Sequence, residues 1–184
     1  MNHCSKKVLN LVLAALFAAL ICVATMVFTI PLPGRGYLNT GDCFVILAGC
    51  LMGPVFGPAA SAVGSALADV ILGFAVYAPG TFVIKGLMAL AACAAFRAVN
   101  RNGEKHALVL VVSAGVAGEF VMIAGYFLYE TALFGFKTAI GGVPGNCLQG
   151  AGGLVIAGAV LGALLRNTYI REFFPGTGSE KTKR

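Results

Sequence analysis

The sequence predicts an all-α membrane protein with six transmembrane helices. Of its 184 residues, 59% are hydrophobic and 11% are charged, whereas charged residues make up roughly a quarter of a soluble domain. The mean hydropathy is +0.90. A spanning helix needs about 20 residues, so the chain has room for six spans with short connections. We expect residues 1–174 to form a single six-helix domain, followed by a disordered basic cytoplasmic tail over residues 175–184.

The lysines and arginines predict the orientation of these spans. With the N-terminus in the cytoplasm, ten of the thirteen basic residues fall in cytoplasmic segments, as the positive-inside rule requires. The others are Arg35 and Lys137 in outer loops and Lys85 within a span. Both termini are therefore predicted to lie in the cytoplasm.

The first span is predicted over residues 8–30, after Lys6 and Lys7. Its length exceeds the 7–15-residue core of a signal peptide, so we expect it to be retained. Small residues recur at intervals of four along it: Ala14, Ala15, Ala18 and Ala19. Such a strip lets another helix approach closely, either within this chain or in a partner subunit.

A polar loop over residues 30–42 follows the first span. Its two prolines fix φ and its three glycines admit backbone angles closed to other residues, a composition that allows a segment to fold over a site. The loop ends by bringing Asn39 and Asp42 to the mouth of the next span. We predict that it lies outside the cell and acts as a lid.

Spans two and three are predicted over residues 43–56 and 59–74. Two closely spaced Gly-Pro pairs lie between them and mark a tight reversal. The third span carries a polar stripe at i, i+4 and i+8, which consists of Ser61, Ser65 and Asp69.

Three further apolar runs predict spans four, five and six, over residues 82–99, 107–129 and 143–165. Lys85 lies about one turn inside span four. Span five carries Glu119 and Tyr126 on one face, and span six carries amide side chains at Asn146 and Gln149. Residues three and seven positions apart share a face of a helix, so each pair lies on one side of its span.

The polar side chains of the spans gather towards the outer half of the membrane. Asp69 and Lys85 lie at matching depths, which predicts an ion pair that either locks two helices or lines a site. Amides both donate and accept hydrogen bonds, as a heteroaromatic solute requires, and tyrosines can stack on its ring. Each group has an alternative role as an interhelical hydrogen bond. Together they predict one outward-open site: Asn39, Asp42, Asp69, Tyr77, Lys85, Glu119, Tyr126, Asn146 and Gln149.

Several chemistries are excluded by the sequence. It has no G-x-x-x-x-G-K-[ST] motif, so ATP hydrolysis by a P-loop is not expected. The two histidines, His3 and His106, are predicted on the cytoplasmic side, away from the carboxylates, so no metal centre or Ser-His pair is expected. The six cysteines lack C-x-x-C spacing and mostly lie in apolar runs. We expect no catalytic residue, metal or cofactor in this chain.

Five runs of residues carry a family resemblance: Gly36-Tyr-Leu-Asn-Thr-Gly-Asp42, Gly64-Ser-Ala-Leu-Ala-Asp69, Tyr77-Ala-Pro-Gly-Thr-Phe-Val-Ile-Lys-Gly86, Gly125-Tyr-Phe-Leu-Tyr-Glu130 and Pro144-Gly-Asn-Cys-Leu-Gln149. They resemble the substrate-binding S components of energy-coupling factor (ECF) vitamin transporters. Within that family, the sequence resembles the subgroup of riboflavin, hydroxymethylpyrimidine and pyridoxine-type carriers. The likeness covers most of the chain.

The resemblance implies a six-helix protein of a prokaryotic plasma membrane that binds a vitamin or precursor from outside. It implies docking, through the small-residue face of the first helix, onto a transmembrane coupling subunit driven by two cytoplasmic ATPases, which use the ATP. Release would follow toppling of the whole S component. These motifs do not identify the vitamin.

Two other functions stay open at this point. The chain is alternatively a small membrane enzyme that uses Asp69, Lys85 and Glu119 as acid and base groups, although no nucleophile–base pair is evident. A third alternative is a purely structural membrane subunit.

Overall fold

The structure, a computed structural model, describes residues 3–31, 37–101, 107–164 and 166–167. These ranges contain five long helices: α1 (His3–Val27), α2 (Gly41–Ile71), α3 (Ala78–Arg101), α4 (Ala107–Phe134) and α5 (Phe136–Leu164). Each is long and apolar enough to cross a membrane. An all-helical membrane architecture is therefore confirmed, while the predicted tail over residues 175–184 lies outside the described residues.

The predicted second and third spans form one element, α2, so five helices stand where the sequence predicted six. The element is broken at Gly53, with φ of +78° and ψ of −172°, angles that glycine adopts at little cost. The carbonyl oxygen of Ala48 lies 2.5 Å from the position that a Cβ on Gly57 would take. In a straight helix these two residues would be separated by about 13 Å along the axis. The chain therefore reverses at Gly53, as the Gly-Pro pairs predicted.

The predicted loop between the first two spans is in part a short hairpin. Strands β1 (Thr29–Pro31) and β2 (Tyr37–Asn39) pair antiparallel, with Thr29 opposite Asn39 and Pro31 opposite Tyr37. The residues between the strands, 32–36, lie outside the described residues. The role of this loop as a lid therefore stays a prediction.

The core lies around the first arm of α2, which is buried almost throughout from Cys43 to Met52. Aliphatic residues of this arm pack against α3, α4 and α5 in one cluster that includes Ile46, Met88 and Met122. Asp42 lies at the N-terminal end of the same arm. The central position of this arm explains why α3 and α5 both reach the polar cluster described below.

The small-residue strip of α1 divides between two environments. Ala14 is buried and Ala18 is half-buried, and the carbonyl oxygen of Ala18 lies 2.4 Å from the position of a Cβ on Gly64 of α2. Ala15 and Ala19 are exposed. One side of the strip thus packs within the chain, and the other side faces outward.

Candidate binding site

A buried ion pair between Asp42 and Lys85 forms the centre of the polar cluster. Asp42 lies in the first turn of α2 and has no exposed surface, and Lys85 on α3 is 3% exposed. Burying either charge without the other would cost several kcal/mol. The sequence predicted Asp69 as the partner of Lys85; the partner that the structure describes is Asp42, and the Asp69 pair stays a prediction.

Gln149 on α5 connects this ion pair to the hairpin. Its Nε2 donates to Asp42 Oδ2 over 2.7 Å, and its Oε1 accepts the backbone N–H of Asn39 at 3.0 Å and Asn39 Nδ2 at 3.3 Å. The Oδ1 atom of Asn39 accepts the backbone N–H of Gly41 at 2.9 Å. The end of β2, the start of α2 and the middle of α5 are therefore joined at one point.

Tyr126 on α4 borders the cluster on the α3 side. Lys85 Nζ lies 5.5 Å from the centroid of its ring, within the range of a cation–π interaction. The hydroxyl of Tyr126 lies 2.9 Å from Thr81 Oγ1. Thr81 was not predicted as a site residue, although its spacing of four from Lys85 places both on one face of α3.

Glu119 on α4 reaches the cluster between two glycines of α5. Its Oε2 lies 2.9 Å from the position of a Cβ on Gly150, and its Oε1 lies 2.8 Å from that of a Cβ on Gly153. Asp42 Cβ lies 2.9 Å from the same point at Gly153. Any side chain at Gly153 would therefore displace Glu119 or Asp42.

The remaining predicted residues lie around this centre at different positions. Asp69 is 4% exposed and acts electrostatically on Tyr126. Asn146 lies three residues before Gln149 on α5, and its Nδ2 atom is buried without a hydrogen-bond partner among the described residues. Tyr77 belongs to an aromatic cluster in which its ring centroid lies 6.3 Å from that of Tyr129 and 6.0 Å from that of Phe134.

The chemistry of the cluster is that of hydrogen bonding and charge rather than of metal binding. Within the described residues, no three histidine, cysteine or acidic side chains are placed to hold a metal ion. The cluster instead offers amide, hydroxyl, ammonium and carboxyl groups at the meeting point of four helices. It suits recognition of a small polar molecule. The fold and the cluster together define an all-helical membrane protein with a buried polar centre.

Two solved structures share this fold. One is the crystal structure at 2.1 Å of the S-component for biotin from an ECF-type ABC transporter, with a TM-score of 0.61 and 16% identity over 87% of this chain and 94% of that one. The other is the S component of a bacterial ECF transporter, with a TM-score of 0.61 and 21% identity over 87% and 95% of the two chains. At these identities the likeness establishes the fold.

The family follows from the sequence match. The model of the ECF-type riboflavin transporter S component family matches residues 5–167, and the chain belongs to that family. A protein of Pyrococcus woesei, described as an uncharacterized protein in the gap 3′ region, is 35% identical over 147 residues, which are 79% of this chain and 94% of the relative. The chain is thus the substrate-binding subunit of a vitamin transporter and not an enzyme, and the resemblance found in the sequence is confirmed.

Proposed function

We propose that this S component captures a small, water-soluble vitamin or precursor at the polar cluster, from outside a prokaryotic plasma membrane. The observation that carries the proposal is the convergence of Asn39, Asp42, Lys85 and Gln149 from β2, α2, α3 and α5. Charged groups in a bilayer are costly and usually mark a ligand path. The ligand is riboflavin-, pyridoxine- or hydroxymethylpyrimidine-like, since such solutes combine a ring with several donors and acceptors.

The membrane topology belongs to this proposal. Six crossings with both termini in the cytoplasm require α2 to cross twice, and the reversal at Gly53 supports this because the two arms of α2 lie against each other. The ten basic residues of the predicted inner segments then lie in the cytoplasm, in keeping with the positive-inside rule. The hairpin of β1 and β2 lies outside and covers the site.

Delivery depends on partner subunits. The chain docks on a transmembrane coupling subunit that two cytoplasmic ATPases drive, and it topples in the membrane to release the vitamin. The exposed side of the α1 strip, at Ala15 and Ala19, is the side that remains for this contact. Small exposed residues support it, because they let a partner helix approach closely without a hydrophobic driving force.

Ligand identification tests the proposal. The protein is purified in lipid nanodiscs. The small molecules that copurify with it are then extracted and identified by mass spectrometry. Riboflavin, pyridoxine and hydroxymethylpyrimidine are then titrated by calorimetry. We expect one of them to bind and the Asp42→Ala variant to lose that binding. If no vitamin or precursor copurifies or binds, the proposal fails.

A further inference from the structure

Among the described residues, the hydrogen bonds between β2 and α5 all end on one atom, Gln149 Oε1. One comes from the backbone N–H of Asn39 and the other from Asn39 Nδ2. Gln149 is only 7% exposed, and a hydrogen bond shielded from water is stronger than one at the surface. The end of β2 is therefore held on α5 by a single amide group.

The direction of this amide is fixed by groups whose hydrogen-bonding roles cannot change. Asp42 is ion-paired with Lys85, and a carboxylate only accepts, so the amide atom that faces Asp42 Oδ2 has to be Nε2. Oε1 then faces Asn39. The backbone N–H of Gly41 donates to Asn39 Oδ1, which leaves Asn39 Nδ2 to donate to Gln149. The contact between Asn39 and Gln149 therefore depends on the charge of Asp42.

The chain directly after β2 is held in another way, by α1. Thr40 Oγ1 donates to the carbonyl oxygen of Ala24 at 3.3 Å, and a Cβ on Gly41 would collide with the side chain of Thr25. Packing this close leaves the first residue of α2 little room to shift. The hairpin is thus anchored where the chain enters α2, whereas the bonds of Asn39 to α5 can open without moving a helix.

From this arrangement we propose that Gln149 is the latch of the hairpin. Its amide holds β2 against α5, Asp42 keeps the amide pointing in the latching direction, and the vitamin enters or leaves when the bonds from Asn39 to Gln149 Oε1 break. This inference rests on the proposed function, in which the hairpin covers the site. It goes further, because it assigns the opening step to one side chain, which acts as a positioning residue.

Hydrogen exchange of the Asn39 amide tests the latch on the full chain in nanodiscs, without any vitamin, by mass spectrometry with residue-level fragmentation. Gln149→Met keeps the length of the side chain and removes its hydrogen bonds. We expect the Asn39 amide to exchange at least about tenfold faster in this variant, because it loses its acceptor. Leu148→Met is the matched control, since Leu148 is the neighbouring residue of α5 and is 66% exposed; it should leave the exchange rate unchanged. Unchanged exchange in the middle of α3 shows that the variant is folded.

Binding kinetics test the consequence of the latch. For the vitamin that binds, we expect Gln149→Met to raise the dissociation rate at least about tenfold without slowing association. Asn39→Ala removes one of the two bonds to Gln149 Oε1 from the side of the hairpin and should raise the dissociation rate less. The double variant Asn39→Ala/Gln149→Met should release the vitamin no faster than Gln149→Met alone, because both changes break the same contact.

The outcomes separate this inference from the proposed function. If no vitamin binds to the unaltered protein, the proposed function fails and the inference fails with it. If a vitamin binds but the Asn39 amide exchanges equally slowly in a folded Gln149→Met protein, Gln149 is not the latch while the proposed function stands. Faster exchange without faster dissociation of the vitamin would also overturn the inference. Should Gln149→Met not fold, Asn39→Ala decides, and an unchanged dissociation rate in that variant would overturn it.

Discussion

At the scale of the residue, the cluster depends on which charges are paired. Asp42 Oδ1 is bonded to Lys85, and Asp42 Oδ2 accepts from Gln149 Nε2, so both oxygens are satisfied. Buried pairs of this kind contribute little net stability, yet removing one partner leaves the other charge buried without a counter-charge. The ion pair therefore adds little to the stability of the protein, but replacing only one of its two residues is expected to be costly.

Asp42→Ala should destabilise the protein by about 3–5 kcal/mol, because Lys85 is left buried without a counter-charge. The measurement is the midpoint of thermal unfolding in detergent, followed by size-exclusion chromatography. The double variant Asp42→Ala/Lys85→Met should recover much of the loss, since it removes both charges. A double variant no more stable than Asp42→Ala would contradict this explanation.

Gly153→Ala should weaken vitamin binding by about tenfold or more, since a Cβ there displaces Glu119, or displaces Asp42 and disturbs its bonds to Lys85 and Gln149. Its neighbour Gly152 supplies the control, because a Cβ on Gly152 would meet no atom within 4 Å. Gly152→Ala should leave the dissociation constant unchanged. Equal vitamin affinities for the two variants would show that Gly153 does not line the binding site.

At the scale of the element, composition predicted the presence of the apolar helices well and the residues at which they begin less well. The apolar run placed the start of the fourth span at residue 82, whereas α3 begins at Ala78, so Lys85 lies two turns inside the helix instead of one. Asp42 was placed at an edge, but α2 begins at Gly41 and the central position of its first arm buries it completely. The structure places Lys85 against Asp42, a pairing that the predicted helix ends did not indicate.

The hairpin was not predicted, because its strands are only three residues each and β1 ends in Pro31. Proline in a short run argues against a strand and for a loop. The contacts of Asn39 with Gln149 span 110 residues of sequence. No local pattern could supply them, although the polar character of both residues made them candidates for one site.

Gly53→Ala tests the reversal within α2. Alanine at φ of +78° is strained, and its Cβ would lie 3.0 Å from the Nη2 atom of Arg97, so we expect a loss of about 1–3 kcal/mol. Thermal unfolding in detergent measures it. Gly162→Ala in α5, where a Cβ would meet nothing within 4 Å, should be neutral or stabilising. A Gly53→Ala protein as stable as Gly162→Ala would refute the importance of this kink.

At the scale of the whole molecule, the proposed binding site and the proposed docking surface lie in separate regions of the fold. The polar cluster lies between α2, α3, α4 and α5, while α1 contributes mainly its packing against α2 and an exposed outer side. The amino-acid pattern predicted both regions. It could not divide the α1 strip into inner and outer sides, because alanines at i and i+4 serve either kind of contact.

Ala15→Trp should reduce vitamin uptake in cells that contain the coupling subunit and ATPases, because an indole prevents close approach of a partner helix. Vitamin affinity of the purified chain should stay the same. Leu16→Trp is the control, since Leu16 is also exposed, at 63%, and is already large. Uptake and copurification of the coupling subunit are the two measurements. Normal uptake by Ala15→Trp would exclude this side of α1 as the docking surface.

The ion pair also has a consequence for how the chain enters the bilayer during synthesis. Asp42 and Lys85 are separated by 43 residues, so the carboxylate leaves the ribosome well before its counter-ion. Because a lone charge is poorly tolerated in lipid, we expect α2 to remain at the translocon until α3 arrives, and the two to pass into the membrane together.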